Sequence, residues 1–369
     1  MPDLIVNNVI VHELVKEQHQ AIQQSNYRDA VLDTGNEVVE KLIADIIGMY
    51  GTRGNSANFG TFREDEGRGE FPDKFLEYAA IQSPNDQQFI HISKKAMVSL
   101  YQKAEGKTAS SGGYILFVDY SNRGNRFFLV SMIKQKDGIR FNEELEPVSL
   151  IELDLRRLHQ AARVNFSRLT AWSAAGVDDR QELTYLSFIS PQSNKDVAGY
   201  FIESLGCTPG TSSSKATSNV VKECYNYFRN SDVLKPKARE FKEKVIHYLS
   251  GKQAAGEAAK ISEIENLSRA YFPAEEDGQS DGYAYELAEK LNSEEASIPR
   301  EFSVSKKSLD KFKQIVAKSD NWEIKFEMSA LGENESAEIY YNRESRKLVI
   351  NELTNSIVSD IEKELSSRS

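Results

Sequence analysis

No apolar stretch in this 369-residue chain approaches the roughly 18 residues that would cross a bilayer, so no membrane-spanning helix is expected. Cysteine is scarce: Cys207 and Cys224 are the only two. Two thiols build no disulfide scaffold, and they suit a reducing compartment. The five histidines, His12, His19, His91, His159 and His247, lie far apart, and neither a His-Glu-x-x-His nor a Cys-x-x-Cys spacing occurs. No metal, no cofactor and no catalytic thiol is therefore expected. The opening "MPDLIVNNVIVHELVKEQ" has no basic region and no small-residue cleavage site, so the chain reads as cytoplasmic rather than exported. Zinc-finger spacing is missing, as is a basic region followed by heptads, which excludes the common groove-reading modules. Positive charge is in deficit, with a formal net charge of -10. That argues against a surface coated in non-specific nucleic-acid contacts. A local basic patch remains open, because screening limits a charge's reach to about 10 Å.

What is present reads as mixed secondary structure. "LIVNNVIVHELV" (Leu4–Val15) is β-branched and predicts a strand. Val38, Val39, Leu42, Ile43, Ile46 and Ile47 recur at helical spacing, which predicts a helix over about 36–50. The Gly- and Asn-rich stretch from Gly51 to Pro72 reads as a long loop, and "HISKKAMVSLYQKAEG" as a second helix. The strongest β signal is central: "GGYILFVDY" and "RFFLVSMIKQ" flank the turn sequence "SNRGN", and "IRFNEELEPVSLIELDL" follows "KDG". Such a succession predicts a meander, extended by "AARVNFSRLTAW" and "LTYLSFIS". Long apolar strands with exposed edges invite pairing between copies, so a homodimer is expected. Beyond Pro191, "KDVAGYFIESLG", "SNVVKECYNYFRNS" and "KAREFKEKVIHYLSG" are helical patterns. An acidic stretch then leads to the helix "SKKSLDKFKQIVAKS", two or three strands and a helical tail. The fold class is α+β. An N-terminal antiparallel sheet domain with flanking helices spans 1–190, a helical basic segment 191–255, and an acidic linker with a small C-terminal α+β unit 256–369.

Five basic side chains crowd "KPKAREFKEKVIHYL": Lys235, Lys237, Arg239, Lys242 and Lys244. On a helix, Phe241, Val245, Tyr248 and Leu249 would form the buried face, and Arg239–Glu243 and Glu240–Lys244 would pair at i,i+4. A solvated, salt-laced surface explains part of this pattern but not the excess. From Tyr200 to Gln253 nine Lys/Arg face five Asp/Glu, a balance of +4 within an acidic chain. Lys215, Lys222 and Arg229 continue the series upstream, and all eight are candidate DNA-binding residues. A second cluster, "DLRRLHQAARVNFSR", offers Arg156, Arg157, Arg163 and Arg168 either for bidentate phosphate contact or for pairing with the acidic loop around Arg63–Glu70, with His159 inside it as a structural ring. "GTSSSKAT" (Gly210–Thr217) has the order of a phosphate loop but Ser214 where the second glycine belongs. It is better read as a polar loop feeding a helix N-terminus near Lys215. Glu323 and Lys325 in "WEIKF" share one strand face, as in metal-dependent nucleases, with Asp310 and Asp320 available by sequence; alternating charge on an exposed strand is the plainer account.

The segments "VIVHELVKE", "GGYILFVDY…FFLVSMIK…GIRFNEELE", "LDLRRLHQAARVNFSRL", "LTYLSFIS…KDVAGYFIESLG" and "WEIKFEMSALGE", in this order over nearly the whole chain, resemble the NdpA-type bacterial nucleoid-associated protein family. The resemblance implies a cytoplasmic protein located on the nucleoid that binds double-stranded DNA without known catalysis, and it carries over no catalytic residue. The acidic stretch around Glu275–Glu295 and the Gly-rich stretch after Gly51 depart from the family pattern. Together these readings give a DNA-binding protein whose contacts are phosphate-dominated and weakly sequence-specific. Its rivals are a metal-dependent nuclease using Glu323 and Lys325, and an adaptor that reaches the nucleoid through a DNA-processing protein partner.

Overall fold

The structure, a computed structural model, describes residues 3–52, 55–156, 158–180, 183–189, 195–210, 212–272 and 279–367. The first strands in chain order are β1 (Leu4–Leu14), β2 (Asn58–Phe62), β3 (Gly113–Asn122), β4 (Asn125–Ile133), β5 (Gln135–Phe141), β6 (Pro147–Leu153), β7 (Gln160–Asn165), β8 (Leu186–Ile189) and β9 (Cys207–Pro209). All but β5 and β6 join one antiparallel sheet in the order β1-β3-β4-β7-β8-β2-β9. Around it lie α1 (Glu37–Met49), α2 (Phe71–Ala79), α3 (Asp86–Glu105), α4 (Phe166–Ala174), the single turn α5 (Val177–Arg180) and α6 (Lys195–Ser204). The continuous apolar runs of β3 and β4 are explained by burial on both faces. Ile115 and Phe117 point into a core shared with α2, α3 and α6, while Leu116, Val118 and Tyr120 point into a second core with Ile43, Ile46 and Ile47 of α1. The turn "SNRGN" is a two-residue hairpin in which Arg123 and Gly124 both take positive φ, as the twist of the flanking strands requires. Helix starts follow their caps. The Asn36 side chain accepts from the Val38 and Val39 amides, and Asn85 forms a capping box with Gln88.

Four local expectations are corrected. The run after "KDG" does not continue the meander: β5 and β6 form a separate two-stranded ribbon, and the place beside β4 is taken by the small-residue strand β7. "AARVNFSRLTAW" is strand only to Asn165, whose side chain caps α4. The Gly-rich stretch after Gly51 contains a buried strand, β2, held by β8 and β9 from more than 120 residues away. Finally, β3 lies between β1 and β4, and β8 between β7 and β2. Neither is an edge, so the pairing between copies expected from them has no free hydrogen-bonding groups to use.

A second body begins at α7 (Ser213–Arg229) and continues through α8 (Ala238–Ala255), β10 (Ala259–Lys260), α9 (Ile261–Ser268), α10 (Gln279–Leu291), β11 (Glu301–Phe302) and α11 (Lys306–Lys313). One apolar core runs from Ala216 to Leu309, so its packing crosses residue 256 without a break. The helix expected over "SKKSLDKFKQIVAKS" stops at Lys313. Ile315 and Val316 instead enter β12 (Gln314–Ser319), which pairs with β13 (Trp322–Glu327). The β-branched pair favours that extended state. The chain closes with β14 (Leu331–Gly332), β15 (Ile339–Asn342), β16 (Lys347–Ile350) and α12 (Asn355–Ser367). No described helix is long and apolar enough to cross a membrane.

Candidate nucleic-acid interface

Helix α7 starts where the Ser212 hydroxyl accepts from the Lys215 amide at 3.1 Å. Ala216, Val220, Val221, Cys224 and Phe228 bury one stripe, which leaves Lys222 and Arg229 exposed on the opposite side, with Lys215 half-buried. The stretch before α8 is a 3-10 turn, Lys235–Lys237, with Pro236 at its second position. Within α8, Ala238, Phe241, Val245 and Leu249 face the core, and Phe241 stacks on Phe228 at 4.3 Å. Tyr248 is half-buried, its hydroxyl donating to Glu263 at 2.8 Å.

The basic residues of α8 divide between two flanks. Lys242 sits against α7 and α11, its ammonium 5.4 Å from the Tyr225 ring and 5.8 Å from the Phe312 ring. Lys237 and Lys244 lie on the other side of the helix, along a shallow groove with Asn266 and Tyr271, where Lys237 Nζ donates to the Tyr271 carbonyl at 3.2 Å. Arg239 is exposed and holds Glu243 at 3.0 Å, an exposed pair worth only about 0.3–0.5 kcal/mol. Lys235 is also exposed.

Helix α11 packs on both α7 and α8 and adds Lys306, Lys307, Lys311 and Lys313 against Asp310. Across 213–255 and 306–313, thirteen Lys/Arg stand against five Asp/Glu, a balance of +8. These four lysines were not apparent as site residues from the sequence. Their own helix was legible; its packing on α7 and α8 was not.

The arginine cluster is placed differently. Arg163 is on the interior strand β7, its guanidinium 4.1 Å from the Tyr50 ring and 2.8 Å from Glu294. Asn165 donates to the same carboxylate at 2.7 Å, and Arg168 donates to Ser297 at 2.9 Å. Asn292 completes the join between the two bodies. It accepts from the Ala57 amide at 2.7 Å and donates to the Ala57 carbonyl at 2.8 Å. Arg163 is thus engaged in holding the helical body to the sheet. Arg156 is exposed but chelates Asp154, whose carboxyl that guanidinium holds well below the usual range. Arg157 lies outside the described residues. The cleft between the bodies, about 1030 Å³, mixes Arg123, Arg163 and Arg168 with Asp3, Glu289, Glu294 and Glu295, so it presents no net field for an anion.

Two arrangements with catalytic residue types resolve into structure. Glu323 and Lys325 share a face of β13, but Glu323 reaches Lys318 on β12 at 3.7 Å as one rung of an exposed charge ladder. Asp310 is on α11 and Asp320 at the hairpin turn. Among the described residues no three His, Cys, Asp or Glu side chains gather to hold a metal. His12 and Ser93 meet at 2.9 Å in the core. The Arg28 amide donates to Nδ1, so Nε2 carries the ring proton and donates to Ser93, whose hydroxyl is turned to the Ile90 carbonyl. That tautomer cannot take a proton from the serine.

Burial, then Lys94, pushes the His12 imidazolium down to about 4. Its pKa is lower folded than unfolded, so its contribution is whole above about pH 6.5 and falls away as pH drops toward 4. At pH 5 the loss is roughly 2 kcal/mol. Urea titrations at pH 7.5 and pH 5 should show that difference, and His12→Gln should remove most of it.

The sequence profile of the nucleoid-associated protein YejK matches residues 10–358. The chain belongs to this family. A nucleoid-associated protein of Pseudomonas paraeruginosa is 26% identical over 348 residues, 94% of each chain. One of Azotobacter vinelandii is 24% identical over 363 residues, covering 97% of this chain and 98% of its own. The matched range includes both the sheet and the helical body.

Proposed function

We propose that this member of the YejK family is a DNA-binding protein of the bacterial nucleoid. It acts in the cytoplasm, without catalysis or cofactor, and holds double-stranded DNA through phosphates with weak sequence preference. The observation that carries the reading is the convergence of α7, α8 and α11, which concentrates a balance of +8 on three helices and the turn that joins α7 to α8, in an acidic chain. Lys215, Lys222, Arg229, Lys235, Arg239 and Lys242 would meet the backbone there, joined by the lysines of α11. Lys237 and Lys244 extend the contact around the far flank of α8. Arg156 contributes from the sheet body once its link to Asp154 is shared with a phosphate, and Arg163 acts by fixing the two bodies. Two copies acting together gain from two linked DNA surfaces, because the second contact becomes intramolecular. The charge ladder around Glu323 supports a structural rather than a nucleolytic role for that strand.

Gel shifts of a random duplex and a panel of defined duplexes, titrated from low to high salt, test this. The expected result is binding that falls steeply with salt and differs little between sequences. One site bound more than about a thousandfold above bulk DNA would overturn the weak preference. No shift even at low salt would move the function to an adaptor that reaches DNA through a DNA-processing partner.

A further inference from the structure

A cavity of about 310 Å³ lies between the two bodies, bounded by the loop after α1, by α9 and by α10. That volume is at the low end for small-molecule sites. Gly51 and Ser56 line it from the sheet body, and Ser262, Glu265, Glu289 and Arg300 from the helical body. Of its three charged side chains, Glu265 is neutralised by Arg269 at 2.8 Å. Glu289 and Arg300 are half-buried, and among the described residues neither has a hydrogen-bond or ion-pair partner, nor do they pair with each other. Every other half-buried arginine among the described residues has an acceptor, as Arg126 has in Asp119 and Arg163 in Glu294. Burial outweighs the attraction of Glu301 and lowers the Arg300 guanidinium from its ordinary value. Both charges stand on fixed backbone. The Arg300 carbonyl accepts from the Ile261 amide at 3.0 Å, and the next residue, Glu301, pairs with Lys260 in the β10–β11 ribbon. Glu289 stands on α10, which Ala284, Leu287 and Leu291 anchor in the core.

We infer that this cavity binds a small zwitterion of the amino-acid type, its carboxylate on Arg300 and its ammonium on Glu289. A half-buried charge without a counter-charge is costly, and two of opposite sign held apart in one cavity are both satisfied by a molecule that carries both. The guanidinium fork suits a carboxylate, and an ammonium donates to a carboxylate. A plain anion would meet Glu289, and a plain cation would meet Arg300, so each is disfavoured by a like charge. The Ser56 and Ser262 hydroxyls add polar contacts from the two bodies. Neither Arg300 nor Glu289 belongs to the basic helices α7, α8 and α11, so the site is separate from the DNA face.

Calorimetric titration of the full chain with the common L-amino acids, β-alanine and 4-aminobutyrate, which vary the spacing between the two charges, tests this. At least one should bind with a dissociation constant of about 1 mM or below. Arg300→Met and Glu289→Gln should each weaken that binding at least about tenfold. Neither variant should lower the melting temperature of the ligand-free protein, since neither strands a partner. Blocking one charge of the bound compound, as its N-acetyl or its amide form, should cost as much as the matching variant. If none of the compounds binds, the cavity holds only solvent and the inference fails. If acetate or the N-acetyl form binds as tightly and Glu289→Gln changes nothing, the cavity takes a plain anion and the zwitterion is wrong. A lower melting temperature in either variant would mean that its charge is already paired, which also overturns the inference.

Discussion

Replacing Lys222, Arg229, Lys307 and Lys311 together with glutamine is expected to weaken DNA binding most at low salt. Each phosphate left without its cation takes about 0.9 from the slope of log K against log salt, so four take about 3.6. The deficit of the variant should therefore shrink roughly a hundredfold between 50 and 200 mM salt. All four side chains are exposed, and glutamine keeps helix propensity, so the fold should be unchanged. The stacked Phe228–Phe241 pair beneath them is untouched. Lys237→Gln with Lys244→Gln is the matched comparison, because the structure puts those two on the other flank of α8. A small effect there beside a large one on the first set would locate DNA across α7 and α11. Equal effects per charge would mean that the duplex wraps α8. If the fourfold variant keeps the wild-type affinity and slope, the three helices are a solvated surface and not the DNA face.

How far the sequence announced this depends on whether each feature is local. The core stripe of α8 was legible because Phe241, Val245 and Leu249 recur at helical spacing, and the sheet centre because β3 and β4 carry nearly unbroken apolar runs. The start of α1 near Asn36 was legible in the same way, but that of α3 was not: Asn85 caps it six residues before the helix expected from His91. What was hidden is created by contacts between distant segments. Lys242 and Lys237 look equivalent in the sequence; only the rings of Tyr225 and Phe312 on one side and Tyr271 on the other separate them. The lysines of α11 join the basic face through packing between segments far apart in the chain. Strand β2 exists because β8 and β9 accept it, in a stretch whose glycines and asparagines favour loops. Arg163 carried the composition of a phosphate ligand, yet its partner, Glu294, lies 131 residues onward in a segment that read as an acidic linker.

That last pairing carries the second large effect. Arg163→Met should destabilise the folded chain by about 3–5 kcal/mol, because it strands the Glu294 carboxylate in a site that excludes most water. Glu294 is only 17% exposed and Arg163 16%, and the guanidinium also rests on the rings of Tyr50 and Phe127. Adding Glu294→Gln to Arg163→Met removes the stranded charge while an amide oxygen still accepts from Asn165. The double variant should then recover most of the loss. Urea unfolding followed by the fluorescence of Trp172, which packs on Tyr185 in the sheet body, reads the effect. A loss below about 1 kcal/mol in the single variant would mean that the pair behaves as a solvated rim contact. The salt slope of DNA binding gives the complementary reading. If Arg163 serves only to fix the helical body to the sheet, folded Arg163→Met protein should bind with the wild-type slope. A slope reduced by about 0.9 would instead make Arg163 a phosphate ligand that leaves Glu294 when DNA arrives.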